Sequence, residues 1–480
     1  MMSNKTFSAR AVRPLALTAL ALAVGGALMV PQDAVASAFQ LRENSAQAMG
    51  RAYAGLTAAG NDCSVVANNP AAMSVLTGGC FQADVTAINF SAKFHGTAHD
   101  AMGRPISGGT GGDAGTTIPV PALYWSSQVG EKWHVGAGFS VPFGFQTNYD
   151  HDWMGRYNAL KSKFQSLDAT LSVSYDVNDT FSLGVSAIAQ RTSAELTSAI
   201  NYNMVGVGLV QQAVAGGAIP PQAAPGLIQQ IGTVVPPGSD GVAKIKGDDW
   251  GWGWQVGAMW RITPNDRLAL NYRSKIDHTL TGTANFTMPS NVQALLSDPT
   301  VQPLLAGAGG VPFQHTSGRA DFTTPATASA SYWHRAERFG VGIDVSWTKW
   351  DVFKELRVDY GNPAQPATVE TYNWRNTWFA AVGGDWYVND RLTLRGGVAV
   401  DSTPTHVATR TPRVPDSTRT LLAVGLGYQF SDNLRLDASY SYVYVNSAHM
   451  DHAESSTGDV IDGHFDDYGN LLGISMQYSF

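Results

Sequence analysis

Apolar and polar residues alternate one by one along much of the chain, most clearly in residues 250–260. One face of this segment is mainly glycine, whereas the other carries Trp250, Trp252, Trp254, Val256, Ala258 and Trp260. A repeat of two residues predicts a β-strand and excludes an amphipathic helix. In a strand tilted by ~40°, Trp250 and Trp260 differ in height by about 25 Å. That height is typical of the spacing between the two aromatic girdles of an outer-membrane β-barrel.

The alternation recurs in residues 472–480, where the chain ends in Phe480. An aromatic strand at the C-terminus is the kind of signal that the barrel assembly machinery binds during insertion. Between the apolar runs, short polar turns such as Asn178-Asp179 alternate with much longer connections. This alternation is typical of an up-and-down barrel. The sequence therefore predicts an all-β fold, a 14-stranded antiparallel transmembrane β-barrel over residues 81–480.

The first residues have the composition of an export signal. Three basic residues precede an apolar run over residues 15–30, and a small-x-small cleavage pattern ends at Ala36. This arrangement predicts a signal peptide over residues 1–36 and export to the outer membrane of a Gram-negative bacterium. A retained anchor is the alternative, although the apolar run is shorter than the ~20 residues that a spanning helix needs.

A segment rich in small residues lies between the signal peptide and the first predicted strand. Residues 39–73 are rich in glycine, alanine and asparagine, a composition that suggests a plug at the mouth of the barrel. We therefore assign residues 37–80 to an N-terminal hatch inside the lumen. The only two cysteines, Cys63 and Cys80, would staple this hatch to the first strand if they are bridged. An oxidising compartment favours a disulfide over the alternative of two unpaired thiols.

Composition narrows the class of protein further. Only 14% of the residues are charged, 44% are hydrophobic and 50 are glycine, which fits a lipid-facing barrel better than a secreted enzyme. The formal net charge of −7 argues against a nucleic-acid partner. No motif indicates a cofactor or a metal. His449, His452 and His464 lie among acidic residues and could bind a divalent ion, and through it lipopolysaccharide, but a solvated polar loop is the favoured interpretation.

Two other classes of barrel protein compete with a selective transporter. An outer-membrane lipid-modifying enzyme would need a nucleophile with its base at the rim, and the sequence shows no such motif. A general diffusion porin would lack the hatch and would line its lumen with opposed rows of acids and arginines. A plugged barrel instead implies selective passage of its cargo.

Two long connections, residues 200–243 and 288–316, are nearly uncharged and apolar. Exposed apolar surface of that size needs an explanation. We predict that they form an apolar landing groove for a hydrophobic ligand, with the candidate residues Leu209, Leu227, Leu295 and Leu304. The alternative is that the two connections simply pack on each other, and the two arrangements are compatible.

Four segments together make a family resemblance specific. They are FQLRENSAQAMGRAYAG (39–55), Asn69-Pro70-Ala71, WGWGWQVGAMWRITPNDRLALNYRSKID (250–277) and RVPDSTR (413–419). In this order the chain resembles the FadL family of outer-membrane transporters for long-chain fatty acids and other hydrophobic compounds. The resemblance implies a monomer, without a cofactor, that sits in outer-membrane lipid and lipopolysaccharide and binds a hydrophobic small molecule.

The resemblance also implies a route. The ligand would be captured in the apolar groove and would pass to a lumenal pocket near Phe39, at the hatch N-terminus. The hatch would then rearrange, and the ligand would leave sideways where the third strand kinks. Here the kink falls in residues 138–147, where Pro142 and Gly144 weaken strand pairing. Asn69, Pro70 and Ala71 would face that gap. The alternative for the tripeptide is a plain turn in the plug, and the alternative for the kink is an ordinary strand end.

The headgroup site departs from the family pattern. Fatty-acid members use two basic residues, and one of them falls on Arg357. A bulge near residues 348–350 would turn Arg357 inward, although a lumenal salt-bridge ladder with Glu355 and Asp359 is the competing interpretation. The second basic position falls at Thr197-Ser198, where no arginine or lysine occurs. Uncharged aromatic hydrocarbons or alkanes are therefore the alternative cargo.

Overall fold

The computed structural model describes residues 38–299 and 311–480. Five strands are interrupted, so that 19 strand segments in these ranges make a 14-stranded barrel. The strands are β1 (Gly79–His99), β2 (Thr117–Val129), β3 (Trp133–Asn148), β4 (Lys161–Asn178), β5 (Phe181–Asn201), β6 (Asp240–Arg261), β7 (Asp266–Arg273 and Ile276–Phe286), β8 (Thr316–Thr324 and Thr327–Arg335), β9 (Phe339–Thr348 and Glu355–Tyr360), β10 (Thr368–Thr371 and Thr377–Tyr387), β11 (Leu392–Asp401), β12 (Arg419–Gln429), β13 (Leu434–Val445 and Ala448–Glu454) and β14 (Val460–Ser479). The predicted signal peptide (1–36) and Leu304 lie outside the described residues.

The last strand returns to the first and closes the barrel. β14 and β1 are paired from Cys80 opposite Ser479 to His99 opposite Val460. Gly79 and Phe480 exchange two backbone hydrogen bonds of 2.9 Å at the end of this seam. The predicted 14-stranded antiparallel barrel is confirmed.

The side chains of the wall change character along the barrel axis. Where the tryptophans lie, the outer face is apolar, and Trp250 and Trp252 are 58% and 76% exposed. Toward the long connections the outer face of β6 is charged at the exposed Lys246, and the less exposed Ile245 lines a lumenal cavity that Lys246 also borders. The wall is therefore apolar outside in its lipid-facing band and apolar inside beyond that band.

The described part of the hatch, residues 38–78, lies inside the barrel. It contains two short helices, α1 (Ala46–Met49) and α2 (Val65–Asn68), and a 3₁₀ helix (Pro70–Val75). Its backbone lies directly on wall glycines, because a Cβ on Gly397 or Gly383 would lie 2.2 or 2.4 Å from the Arg51 carbonyl oxygen. A disulfide between Cys63 and Cys80 also joins the hatch to the start of β1.

Buried ion pairs link the hatch to the wall as well. Arg51 Nη1 lies 3.7 Å from Asp385, and Arg395 Nε lies 3.4 Å from the same carboxylate. Arg395 pairs in turn with Asp437 at 2.8 Å. These side chains are at most 1% exposed. Removing one partner of such a pair leaves a buried charge uncompensated, so hatch and wall depend on each other.

The two long connections contain three helices, α3 (Tyr202–Ala215), α4 (Ala224–Val234) and α5 (Ser290–Leu296). Tyr202, Val235 and Val292 belong to one buried apolar cluster, so the two connections pack on each other. Throughout residues 38–299 and 311–480, every helix is too short or too polar to cross a membrane.

Candidate functional site

An aromatic pocket surrounds Phe39 at the start of the hatch. Six ring centroids lie 4.8 to 6.4 Å from that of Phe39, those of Phe143, Phe145, Phe164, Phe322, Trp350 and Trp374. Phe39 is 4% exposed, and the free space left beside it is about 70 Å³. Phe39 therefore fills most of this space itself, and we call the site the Phe39 pocket.

Arg413 lies at the rim of the Phe39 pocket, which Arg319, Lys163 and Lys246 also border. Arg413 belongs to the connection between β11 and β12, and its side chain is 7% exposed. Its Nε donates hydrogen bonds of 2.8 and 3.1 Å to the two carboxylate oxygens of Glu370. Its Nη1 lies 3.4 Å from Ser162 Oγ and 3.5 Å from the Thr197 carbonyl oxygen. Burial alone would lower the pKa of Arg413, but Glu370 outweighs that effect and raises it, so the guanidinium stays charged.

A wide cavity extends from the Phe39 pocket toward the long connections. This funnel has a volume of about 770 Å³, and α3 borders it with Leu209. The funnel and the Phe39 pocket share Arg413 and the apolar residues Leu196, Ile245, Leu356 and Val358. The two cavities are therefore adjacent, with an apolar passage between them.

The wall is interrupted between β2 and β3. Their pairing ends at Leu123 opposite Phe139, whereas residues 117–122 of β2 pair with β1 alone among the described strands. Pro119 and Pro121 lie in this stretch, and proline has no backbone N–H to donate to a neighbouring strand. The free edge of β2 cannot form a complete ladder, and we call the gap the lateral opening.

On its other side the lateral opening is bounded by a part of β3 that bonds to the hatch. The Leu41 N–H donates to the Pro142 carbonyl oxygen at 2.8 Å, and the Gly144 N–H donates to that of Phe39 at 2.9 Å. A register shift in the pairing with β4 occurs at the same place, between Ser140 and Phe143. Pro142 and Gly144 thus lie at an irregularity of β3, while their role as a gate stays a prediction.

A third cavity, of about 100 Å³, lies beside the lateral opening. It shares Phe145, Val414 and Arg413 with the Phe39 pocket. Funnel, pocket and lateral opening therefore form one series. Within the described ranges, Arg413 is the single residue that lines all three cavities.

The predicted inward orientation of Arg357 was wrong. Its side chain is 53% exposed and pairs with Asp359 at 2.9 Å, while Leu356 and Val358 face the cavities. The excursion around the 3₁₀ helix Trp350–Val352 leaves the alternation unchanged across β9. Residues expected to face lipid face the lumen instead, because the cavities are apolar at this height. The competing prediction, a salt-bridge ladder in the lumen, was also wrong, because the ion pair between Arg357 and Asp359 lies on the outer face.

The predicted position of Asn69, Pro70 and Ala71 beside the gap was also wrong. The Asn69 side chain caps the following 3₁₀ helix by accepting from the Ala71 N–H at 3.1 Å, and it donates to the Leu270 carbonyl oxygen at 3.0 Å. A Cβ on Gly257 would lie 1.9 Å from Asn69 Oδ1. The tripeptide therefore docks on β6 and β7, as a turn inside the plug.

The predicted groove leucines separate in the structure. Leu209 is 58% exposed and lines the funnel. Leu295 packs against the cluster of Tyr202 and Val292, where the two long connections meet. Leu227 on α4 is half-buried and lines none of the three cavities. The structure thus combines packing of the connections with an apolar surface at Leu209.

The histidines near the C-terminus form no metal site in the part of the chain that the structure describes. The ring of His464 lies 5.4 Å from those of His95 and His449, measured between centroids. His95 also lies 3.6 Å from Asp466, and both side chains are more than half exposed. This geometry fits the favoured interpretation of a solvated polar loop.

Sequence reasoning missed the most central charged residue. Arg413 opens the RVPDSTR segment, but only the fold shows that this connection lies in the lumen and brings Arg413 beside Thr197, where no basic residue was expected to be available. A signal for the lateral opening was also present in the sequence. Pro119 and Pro121 stand two residues apart in a strand, which is typical of a free edge.

Comparison with known proteins identifies the family. Residues 27–480 match the family described as outer membrane protein transport protein (OMPP1/FadL/TodX). Outer membrane protein P1 of Haemophilus influenzae is 28% identical, and the match covers 97% of this chain and 98% of that protein. The long-chain fatty acid transport protein of Escherichia coli is 26% identical, with 96% and 98% covered. The crystal structure of a Pseudomonas aeruginosa FadL homologue is 29% identical, with a TM-score of 0.81 over 92% of this chain and 100% of that chain. The chain therefore belongs to the OMPP1/FadL/TodX family, outer-membrane barrels that transport hydrophobic compounds and are not enzymes.

Proposed function

We propose that this protein takes up long-chain fatty acids or related amphipathic compounds across the outer membrane. The ligand enters the funnel, moves into the Phe39 pocket as the start of the hatch shifts, and leaves sideways through the lateral opening. The observation that carries this proposal is the series of three cavities with Arg413 at their junction.

The chemistry of the cavities suits a molecule with an apolar tail and an acidic head. Burial of each methylene group contributes about 0.8 kcal/mol, so an acyl chain gains from the aromatic rings that surround Phe39. The free space beside Phe39 is small, so this side chain has to move before a long chain can enter. A carboxylate at Arg413 would replace Glu370, which now occupies both hydrogen bonds from Nε.

An uncharged aromatic or aliphatic hydrocarbon is the second candidate cargo. The observation that favours it is the same ion pair, because Glu370 already neutralises Arg413. If the pair persists during transport, the cavities present mainly apolar surface to the cargo. The two candidates therefore differ in whether the ligand competes with Glu370.

We expect this protein to restore growth on oleate to a Gram-negative host that lacks its own fatty-acid porter. Growth would be measured with oleate as the sole carbon source, and surface amounts of the barrel would be checked in parallel. A host carrying the empty vector is the control. A correctly inserted barrel that gives no growth would contradict the fatty-acid proposal and favour the uncharged cargo.

Gly144→Trp should block exit while leaving capture intact. Gly144 lines the cavity at the lateral opening, where an added side chain meets Leu41 first, at 3.1 Å. We expect uptake of oleate to fall about tenfold or more, because a packed indole leaves no room for an acyl chain. Binding of a fluorescent fatty acid should change little. Gln128→Trp, on the exposed end of β2, is the matched control, and equal losses of binding and uptake would contradict lateral exit.

A further inference from the structure

Four lysines gather on the outer face of the barrel around one carboxylate. Lys161, Lys244 and Lys246 each place Nζ 3.1 to 3.3 Å from Glu195, which is 16% exposed. Lys163 lies opposite Glu195 in the pairing of β4 with β5. Four positive charges thus surround one negative charge, and three of them form ion pairs with it. We call the group the lysine cluster.

The neighbouring strands do not neutralise this excess. Outer-face charges on either side occur as one-to-one pairs, namely Arg191–Asp248 at 3.2 Å, Arg319–Asp321 at 3.4 Å and Arg357–Asp359 at 2.9 Å. On β7, the residues opposite Lys244 and Lys246 are the uncharged Asn285 and Thr283. Among the described residues around it, the lysine cluster therefore carries a local surplus of three positive charges.

The height of the lysine cluster relates it to the membrane surface. Lys244 and Lys246 lie on the same face of β6 as the exposed Trp250 and Trp252. Lys246 is four residues above Trp250, which corresponds to roughly 10 Å in height for a tilted strand. Tryptophans mark the boundary of the hydrocarbon layer, so the lysines lie at the level of the lipid headgroups.

The registers place these lysines close enough to act on one ligand. Lys163, Glu195 and Lys246 form one row across three adjacent strands, and Lys161 and Lys244 form the next row, on either side of Thr197. Neighbouring strands are ~4.8 Å apart, so each row spans about 10 Å. Ammonium groups on flexible stems bind phosphate oxygens as point charges.

We propose that the lysine cluster binds the phosphate groups of a phosphorylated glycolipid in the outer leaflet. The lipid's acyl chains would lie along the tryptophan face below, while its phosphates replace or flank Glu195 among the lysines. Glu195, at the centre of the cluster, lines none of the three cavities, while Lys163 and Lys246 also border the Phe39 pocket. The proposed ligand is the lipid on the outer face of the wall and not the cargo.

The test is binding of lipid A with both phosphates, compared with the same lipid without phosphates, to the full-length mature protein in detergent. Native mass spectrometry would count bound lipids, and inorganic phosphate would be tested separately. We expect the triple variant Lys163→Gln, Lys244→Gln, Lys246→Gln to bind the phosphorylated lipid about tenfold more weakly or worse, since each basic residue near a lipid surface contributes appreciably. The phosphate-free lipid should bind both proteins equally.

Lys132→Gln, in the turn between β2 and β3 at the opposite end of the barrel, is the matched control and should bind like the wild type. Unchanged surface amounts and an unchanged thermal midpoint of unfolding show that the triple variant is inserted and folded. Equal binding of the two lipids, or no loss in the triple variant, would overturn the proposal. Inorganic phosphate that displaces the lipid at equal concentration would also overturn it, because the cluster would then be a site for free anions.

Discussion

Arg413→Leu is expected to weaken the binding of oleate by about 10- to 100-fold, because a hydrogen bond to a charged group contributes about 1.5 to 3 kcal/mol. The same variant should leave the binding of methyl oleate nearly unchanged, since the ester carries no charge for Arg413 to recognise. Displacement of a fluorescent fatty acid from the purified protein measures both ligands. The difference between them isolates the headgroup from the tail.

Glu370→Gln is the matched control, because it keeps the shape of the site and removes the competing carboxylate. Arg413 then lacks its anionic partner, and we expect oleate to bind more tightly than in the wild type. The double variant Arg413→Leu with Glu370→Leu removes both charges together and tests whether an unpaired Glu370 causes the effect. If oleate and methyl oleate weaken equally in Arg413→Leu, Arg413 acts through folding and not through the carboxylate.

Asp385→Ala is expected to loosen the hatch. Arg51 has no other carboxylate within 4.0 Å among the described residues, so this change leaves a guanidinium buried without an ion pair. Breaking a buried pair in this way costs about 3 to 5 kcal/mol, which is large against the stability of a plug of this size. We expect a lower thermal midpoint of unfolding and a clear rise in ion conductance in planar bilayers.

Asp432→Ala provides the comparison, since Asp432 lies exposed in the turn between β12 and β13. This variant removes the same charge at a site away from the hatch. It should change neither the thermal midpoint nor the ion conductance. A variant Asp385→Ala that conducts no better than the wild type, with an unchanged midpoint, would show that the glycine contacts and the disulfide hold the hatch without this ion pair.

The barrel was predictable because its lipid-facing band obeys one simple rule. Side chains such as Trp250 and Trp252 must be apolar when lipid covers them, and the alternation then reveals each strand. The last strand, which ends at Phe480, and the fold class follow from the same rule. The rule fails between residues 349 and 358, because this part of the wall lies outside the lipid. There apolar side chains face the cavities, and Arg357 consequently faces out.

The binding site was predictable only in part. The family resemblance implied a pocket near Phe39 at the hatch N-terminus, and the structure surrounds Phe39 with six aromatic rings. Those rings come from distant parts of the chain and share no sequence pattern. Arg413 could not be found because a connection between strands has no periodicity, and nothing local indicates that it folds into the lumen.

The seam between β1 and β14 suggests an order in which the protein is assembled. The hatch precedes β1 in the chain, and in the folded protein this seam encloses it. Cys63 and Cys80 are only 17 residues apart and can be oxidised as soon as both have been exported. We expect newly made chains to close their wall around an already tethered hatch, since the hatch and both cysteines are exported before the last strand.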